Sequence, residues 1–505
     1  MNQEVTYNIV YYIGLVLLLG GLISQIVFLF KIKKNEERYQ TFKELIKVNR
    51  LKFILPFLAF AIGFLSLNIA FYLDPNTGTY LAAKGIEIKG YHKAMAYLGA
   101  ILFSGALFSC LYSLYTCLYM QKFNVSKKFR RWWFTISLIV LIIAFYIHTE
   151  GNAPYLSYPL ANALYIGTKG IHIINAYNQN DVYGGTGLII YLYAIVILSG
   201  ALLVLYVADY KIWKKYGKHD LITNTFLVGF PAGIIGARIW YVILSISSGS
   251  NNFTGSNWVN IFDIRDGGLG IMGGAVLGII AGVSQICYMK YKKKNPDYIK
   301  MDYLLVIDII VPCILFAQAI GRIGNFFNNE VYGGMVNMGP WEFLPSVIKN
   351  NMYYSHGQAI SGMADYVSKG YFQLPLFFIE GVTNLAGYFI LTYLFGNSLI
   401  FKPFNKLINK KRSAEEIAKN PNILEHSNGS LLGGYILWYG LTRCFLEGLR
   451  NTGDYYRSSE ITSYVMIAMG IAMIVMAIVN NYVLKKKGLW WYKPKAIETK
   501  ETKAE

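Results

Sequence analysis

Apolar runs of roughly twenty residues recur from one end of the chain to the other, separated by polar connections rich in lysine. Eleven runs can be delimited, at 8–30, 53–73, 94–120, 132–148, 186–208, 222–245, 268–289, 303–320, 373–396, 430–447 and 462–484. At a helical rise of about 1.5 Å per residue, a run of this length crosses the roughly 30 Å hydrocarbon core of a bilayer. A segment within hydrocarbon must satisfy its own backbone hydrogen bonds, and a helix does so. The pattern therefore predicts an all-α polytopic membrane protein with about eleven transmembrane helices.

The connections alternate in charge. Stretches 31–52, 121–131, 209–221, 290–302, 397–429 and 485–505 are basic, whereas 149–185 carries Lys169 as its one basic side chain. By the positive-inside rule this predicts an N-terminus outside and a C-terminus in the cytoplasm. The first residues, Met1 to Thr6, lack a positive n-region, so the first helix is expected to be retained. Two external connections are long. The Asn/Tyr/Gly-rich stretch 149–185 divides four N-terminal helices (residues 1–160) from a seven-helix core (residues 161–484). The stretch 334–372 is expected to form an arm over the outer face. Residues 485–505 form a basic cytoplasmic tail with Trp490 and Trp491.

Composition narrows the class further. The 505 residues are 54% hydrophobic and 15% charged, below the about 25% charged of a soluble domain. The net charge of +19 is accounted for by the loop lysines, and no basic-aromatic interleaving suggests a nucleic-acid partner. The five cysteines show no CxxC spacing or Cys/His cluster. They read as small core residues, and no metal or cofactor is expected.

Ionisable groups within the spans concentrate in the last seven helices. An Arg or Lys at the centre of a span costs about 2.5–3.5 kcal/mol on insertion scales, so such residues are candidates for function. Arg238 lies in the sixth span, Arg322 ends the eighth, Glu380 and Asn384 lie in the ninth, and Arg443, Glu447 and Arg450 share one face of the tenth. On the predicted topology all fall in the outer half of the membrane. The chain has 36 Lys and 11 Arg, yet the basic groups at this depth are arginines. A guanidinium stays charged and grips phosphate with a planar fork, which an ammonium does not. The set reads as a phospholipid phosphate site; ion-paired structural residues are the plain alternative. A membrane transporter or another phospholipid-headgroup-binding protein also fits the helices and charges. Transporter sites, however, lie near the midplane and between repeats, and no internal repeat is evident.

Residues 185–484 resemble the prolipoprotein diacylglyceryl transferase family. The resemblance is carried by Gly321-Arg322-Ile323-Gly324-Asn325-Phe326 through Asn328, Glu330 and Gly333. Gly236-Ala237-Arg238 with Tyr241, and Tyr439-Gly440 with Arg443, Glu447 and Arg450, extend it. So does Leu374-Pro375 with Glu380 and Asn384. Tyr193 stands at the tyrosine position of the first core helix, with Tyr191 as the neighbouring alternative. Two features depart from the family pattern. Met272 stands before the Gly-Gly of the seventh span where members carry His or Tyr, and the four N-terminal helices lie outside the common core.

The resemblance implies a reaction in a bacterial plasma membrane. The lipobox cysteine of a prolipoprotein signal peptide takes the diacylglyceryl group of phosphatidylglycerol, and glycerol-1-phosphate leaves. Arg322 and Arg443 are expected to clamp the phosphate, with Arg238, Gly333 and Arg450 completing the lipid site. Asn325 and Glu330 orient glycerol hydroxyls, and Glu447 holds Arg443 or Arg450. The thiol, with a pKa of about 8.5, must become a thiolate. Adjacent arginines favour the charged form, with Tyr193 or Glu330 relaying the proton. His356 of the arm is the alternative base.

Overall fold

The computed structural model describes the chain except residues 1–2, 35–41, 75–80, 84, 88, 119–125, 157, 168–169, 176–187, 218–220, 250–252, 254, 263–269, 420–423, 425, 451–456 and 485–505. The basic tail and the Asp266–Leu269 opening of the seventh span thus lie outside the described residues.

Among the described residues, eleven long helices follow the eleven apolar runs. They are α1 (Gln3–Lys34), α2 (Arg50–Leu73), α3 (Gly90–Leu118), α4 (Lys127–Asn152), α5 (Leu192–Tyr216) and α6 (Leu221–Ser247). The others are α7 (Ile271–Cys287), α8 (Tyr303–Phe327), α9 (Leu376–Phe389), α10 (Ser430–Glu447) and α11 (Arg457–Val479). Among the described residues ten are long and apolar enough to cross a membrane, α7 and α9 with the π-helical turns Tyr288–Lys292 and Ile390–Phe395 that continue them. The exception is α10, whose 18 residues include Arg443 and Glu447. Its polar side chains, which suggested function in the sequence, are what lower its apolarity. Large apolar side chains such as Val16 (70% exposed) and Phe445 (75%) stay on the outside of the helices. That is the arrangement expected where the solvent is lipid.

Helix contacts are built on small residues, as is usual without a hydrophobic drive between membrane helices. Gly236 of α6 and Gly273 of α7 each lie where a Cβ would collide with the other's carbonyl oxygen. Gly21 of α1 meets the backbone of Phe60 and Pro56 of α2 in the same way, at 2.6 Å. The cysteines depart from the core reading in part: Cys110 and Cys313 are buried, but Cys287 is exposed at the end of α7.

The chain divides into two compact units. The first comprises residues 1–160 together with 336–372, so the arm groups with the four N-terminal helices. The short arm helix Ser346–Asn351 begins where Ser346 donates from its backbone N and its Oγ to the Glu150 carboxylate of α4, at 2.6 and 2.9 Å. Leu160 N donates to Asn351 Oδ1 at 3.2 Å, and the rings of Tyr158 and Tyr354 stack at 6.4 Å. Asn152, Asn68, His148 and Tyr72 form a polar network within the same unit.

The second unit holds residues 161–335 and 373–505. It opens with a small antiparallel sheet of β1 (Ala163–Gly167), β2 (Gly170–Ile174) and β3 (Leu188–Tyr191), in the order β2-β1-β3. Tyr165 pairs with His172 on one side and Ile189 on the other. The sequence pattern predicts no strands here. The core of this unit is the packing of α8 against α5, α9 and α10, where Cys313 and Leu315 are fully buried beside Tyr388 and Leu391.

Candidate active site

The polar residues of four helices meet at one end of the second unit. Arg322 lies five residues before the end of α8, and Glu380 lies in the second turn of α9. Glu447 closes α10, with Arg443 one turn earlier and Arg450 just beyond. Tyr193 is in the first turn of α5. The helices alternate in direction, so these positions lie at the same end of the helices.

Their charges form a continuous alternating chain. Arg322 Nη2 reaches Glu380 Oε2 at 2.6 Å, and Glu380 Oε1 accepts from Arg450 Nη2 at 3.2 Å. Arg450 Nε lies 3.4 Å from Glu447 Oε2, and Arg443 Nη1 lies 3.3 Å from the same oxygen. Three guanidiniums against two carboxylates leave one positive charge in excess. The exposure is asymmetric. The side chains of Arg322 and Arg443 are 21% and 24% exposed, whereas those of Glu380 and Glu447 are 6% and 2%. The carboxylates thus sit behind the arginines, holding cations that still present an open edge. Arg322, Asn384, Tyr439, Thr442 and Arg443 line a narrow crevice there, of about 10 Å³.

A second relay leaves Arg322 on its other side. Its Nη1 donates to Asn325 Oδ1 at 3.1 Å, and Asn325 Nδ2 donates to Glu330 Oε1 at 2.8 Å. Asn328 Nδ2 also approaches Glu330 Oε1, at 3.4 Å. The turn that carries Glu330 is strained. Asn329 has φ 50° and Val331 φ 64°, a conformation unfavourable for a β-branched residue. Strain of this kind, about 1–3 kcal/mol per residue, persists where the surroundings over-determine the backbone. Here Phe377 N donates to Val331 O, and Gly333 N to Leu374 O at 2.9 Å. Gly333 also forms a backbone bridge with Arg450 and lies 2.6 Å, measured from an added Cβ, from Leu449 O. Its role is to let two backbones approach and so to place Arg450.

Tyr193, and not Tyr191, faces this group. A Cβ on Gly324 would lie 2.7 Å from Tyr193 Cδ2, so the glycine admits the tyrosine ring beside the Arg322 turn. Glu330 and Arg322 both act electrostatically on its phenol. Tyr191 ends β3, packed against the small sheet.

Of the residues proposed from sequence, Arg322, Asn325, Glu330, Gly333, Arg443, Glu447, Arg450 and Tyr193 are brought together. Arg238 is engaged elsewhere: its Nε donates to Ile261 O at 2.8 Å, and its guanidinium lies over the rings of Tyr241 and Phe253. Glu380 is the residue whose weight sequence reasoning missed. It joins two arginines 58 and 70 residues away, and its signal was an acidic side chain at the common depth. Met272 is 60% exposed at the start of α7. Three histidines have partners away from the arginines: His148 bonds Ala96 O, His356 bonds Ser355 Oγ in the arm hairpin, and His426 faces Asp308.

In a helical membrane protein, a partly open arginine cluster with one positive charge in excess offers donors to an anionic group. Known proteins place it more narrowly. The sequence model of the prolipoprotein diacylglyceryl transferase family matches residues 184–476. The chain is 30% identical over 306 residues to the phosphatidylglycerol–prolipoprotein diacylglyceryl transferase of Streptococcus uberis, covering 60% of this chain and 94% of that protein. It is 32% identical over 299 residues to the enzyme of that name from Clostridium novyi, with 58% and 94% covered, and 31% over 295 residues to that from Clostridium botulinum, with 58% and 93%. The chain therefore belongs to the prolipoprotein diacylglyceryl transferase family. The matched region leaves the four N-terminal helices outside it.

Proposed function

We propose that this chain transfers the sn-1,2-diacylglyceryl group of phosphatidylglycerol to the lipobox cysteine of a prolipoprotein, the first step of bacterial lipoprotein maturation. The observation that carries this reading is the alternating Arg322–Glu380–Arg450–Glu447–Arg443 chain with its cations partly open and its carboxylates buried. Family membership supplies the chemistry that such a site serves. The enzyme lies in the plasma membrane with its N-terminus outside and its C-terminus in the cytoplasm, which puts the arginine end at the outer surface.

Phosphatidylglycerol enters with its phosphate against Arg322 and Arg443. The cysteine sulfur attacks the glyceryl carbon that bears the phosphate oxygen. A C–S bond forms, the C–O bond breaks, and its electron pair leaves on glycerol-1-phosphate. Arg322 and Arg443 act as the catalytic clamp, because negative charge grows on the departing phosphate, where pre-placed donors contribute most. Removing one such donor costs about 10²–10³ in rate. The same positive charge favours the thiolate over the thiol. Tyr193 or Glu330 carries the thiol proton away. Asn325 and Glu330 hold the headgroup hydroxyls, Arg450 and Gly333 complete the lipid site, and Glu447 fixes Arg443 and Arg450. Arg238, held by Ile261 O, takes no part in the clamp.

The test is the bond that breaks. Phosphatidylglycerol labelled with ¹⁸O at the bridge between diacylglycerol and phosphorus is given to the full-length protein with a lipobox peptide. Label recovered in glycerol phosphate, with a diacylglyceryl mass gain on the peptide, is the expected result. Label retained in free diacylglycerol would show attack at phosphorus and refute the proposal.

A further inference from the structure

The end of the core opposite the arginines holds two cavities with a common wall. Along α8, Leu305 of the first cavity is seventeen residues from Arg322, about 26 Å at helical rise. That cavity has a volume of about 410 Å³, and Lys211, Lys214 and Lys215 of α5 line it. The second, of about 460 Å³, is almost wholly apolar, and Leu391, Leu437 and Ile474 line it from beyond α9, from α10 and from α11. His426 and Leu431 belong to both, so a basic mouth continues into an apolar slot. Each volume is in the range of small-ligand sites.

Two observations mark this as a built site. The first is charge. Three lysines face one carboxylate, Asp308, which is 3% exposed. That carboxylate accepts from the backbone N–H groups of Gly429, Leu431 and Leu432 at the start of α10, at 2.7, 3.1 and 3.2 Å. Its charge is thus taken up by the helix start, and the mouth keeps two positive charges in excess. Lys211 is bent inward, its Nζ 3.7 Å from Cys313 Sγ and 5.2 Å above the Tyr388 ring.

The second is the backbone. Residues Ile390–Phe395, which carry Thr392, wind as a π-helix, a local widening often found at functional positions.

We propose that this double cavity binds an anionic phospholipid from the leaflet opposite the reaction, with its phosphate among Lys211, Lys214 and Lys215 and one acyl chain in the slot. A free phosphate would occupy the mouth and leave the apolar slot unfilled. A zwitterionic lipid would fill the slot and meet the lysines with no net charge. The site is separate from the arginine cluster and does not depend on the reaction assigned to it.

Native mass spectrometry of the full-length protein, released from detergent after incubation with phosphatidylglycerol or phosphatidylcholine, reads this directly. Wild-type protein should retain phosphatidylglycerol in preference to phosphatidylcholine. Read in the Arg322→Ala background, so that lipid at the arginines does not mask the loss, the combined K211Q, K214Q and K215Q variant, altered at a polar rim, should lose that preference by at least about tenfold. Gly434→Leu, which fills the slot, should reduce retention of the lipid whatever its headgroup. Arg322→Ala should leave this lipid bound. Equal retention of both lipids by wild type, or unchanged retention in the lysine variant, overturns the proposal. So does displacement by inorganic phosphate with Gly434→Leu silent, which would assign a phosphate pocket alone. Loss in Arg322→Ala would place the lipid at the other end and overturn it too.

Discussion

Exchange of Arg322 for Lys keeps the charge and removes the fork. The guanidinium reaches in two directions at once: Nη2 to Glu380 Oε2 at 2.6 Å on α9 and Nη1 to Asn325 Oδ1 at 3.1 Å on its own helix. A single ammonium cannot span both and still offer donors to a phosphate. Within the protein the exchange removes a hydrogen bond involving a charged group, worth about 1.5–3 kcal/mol. It also removes a donor to the departing phosphate, of the kind that costs about 10²–10³ in rate. These effects overlap, so kcat/KM should fall by about 10²–10³ with the fold intact. The assay is the initial rate of diacylglyceryl addition to a lipobox peptide in phosphatidylglycerol vesicles, with thermal unfolding followed alongside. A folded Arg322→Lys protein whose kcat/KM stays within about threefold of wild type would refute the clamp.

Other outcomes follow from the same geometry. Glu380→Gln leaves Arg322 and Arg450 without the carboxylate they share, and breaking a buried ion set of this kind costs about 3–5 kcal/mol; a drop in thermal midpoint and in rate should show together. Gly324→Ala places a methyl 2.7 Å from Tyr193 Cδ2 and should cost about 1–3 kcal/mol by overpacking, with activity falling as the ring is displaced. Met272→Ala should leave the rate unchanged, since Met272 is largely exposed and has no proton to exchange. Glu150→Ala removes both acceptors of Ser346, so hydrogen exchange at 346–351 should quicken while that of α8 stays slow.

Much of this was legible from the chain itself, for physical reasons. Span length and the obligation to satisfy the backbone pointed to the eleven helices. The preference for Arg over Lys at one depth singled out Arg322, Arg443 and Arg450. Pairing was not legible. Whether Glu380 meets Arg322 or Arg450 depends on which helices are neighbours, and sequence spacing does not encode that. Arg238 shows the opposite error, since a shared depth did not bring it into the ion-pair chain. Tyr193 and Tyr191 could be separated only by the Gly324 contact. The sheet of 163–191 was hidden because its strands are four or five residues long within an Asn/Gly-rich stretch. The bond from Ser346 to Glu150 joins residues 196 positions apart, so the grouping of arm and N-terminal helices had no local signal.

The most direct measurement of the central claim is the mass of a lipobox peptide after incubation with phosphatidylglycerol and either wild-type or Arg322→Ala protein. The account predicts a diacylglyceryl mass gain with release of glycerol phosphate for wild type, and loss of both for the variant. An unmodified peptide with folded wild-type protein, or an undiminished gain with Arg322→Ala, would contradict it.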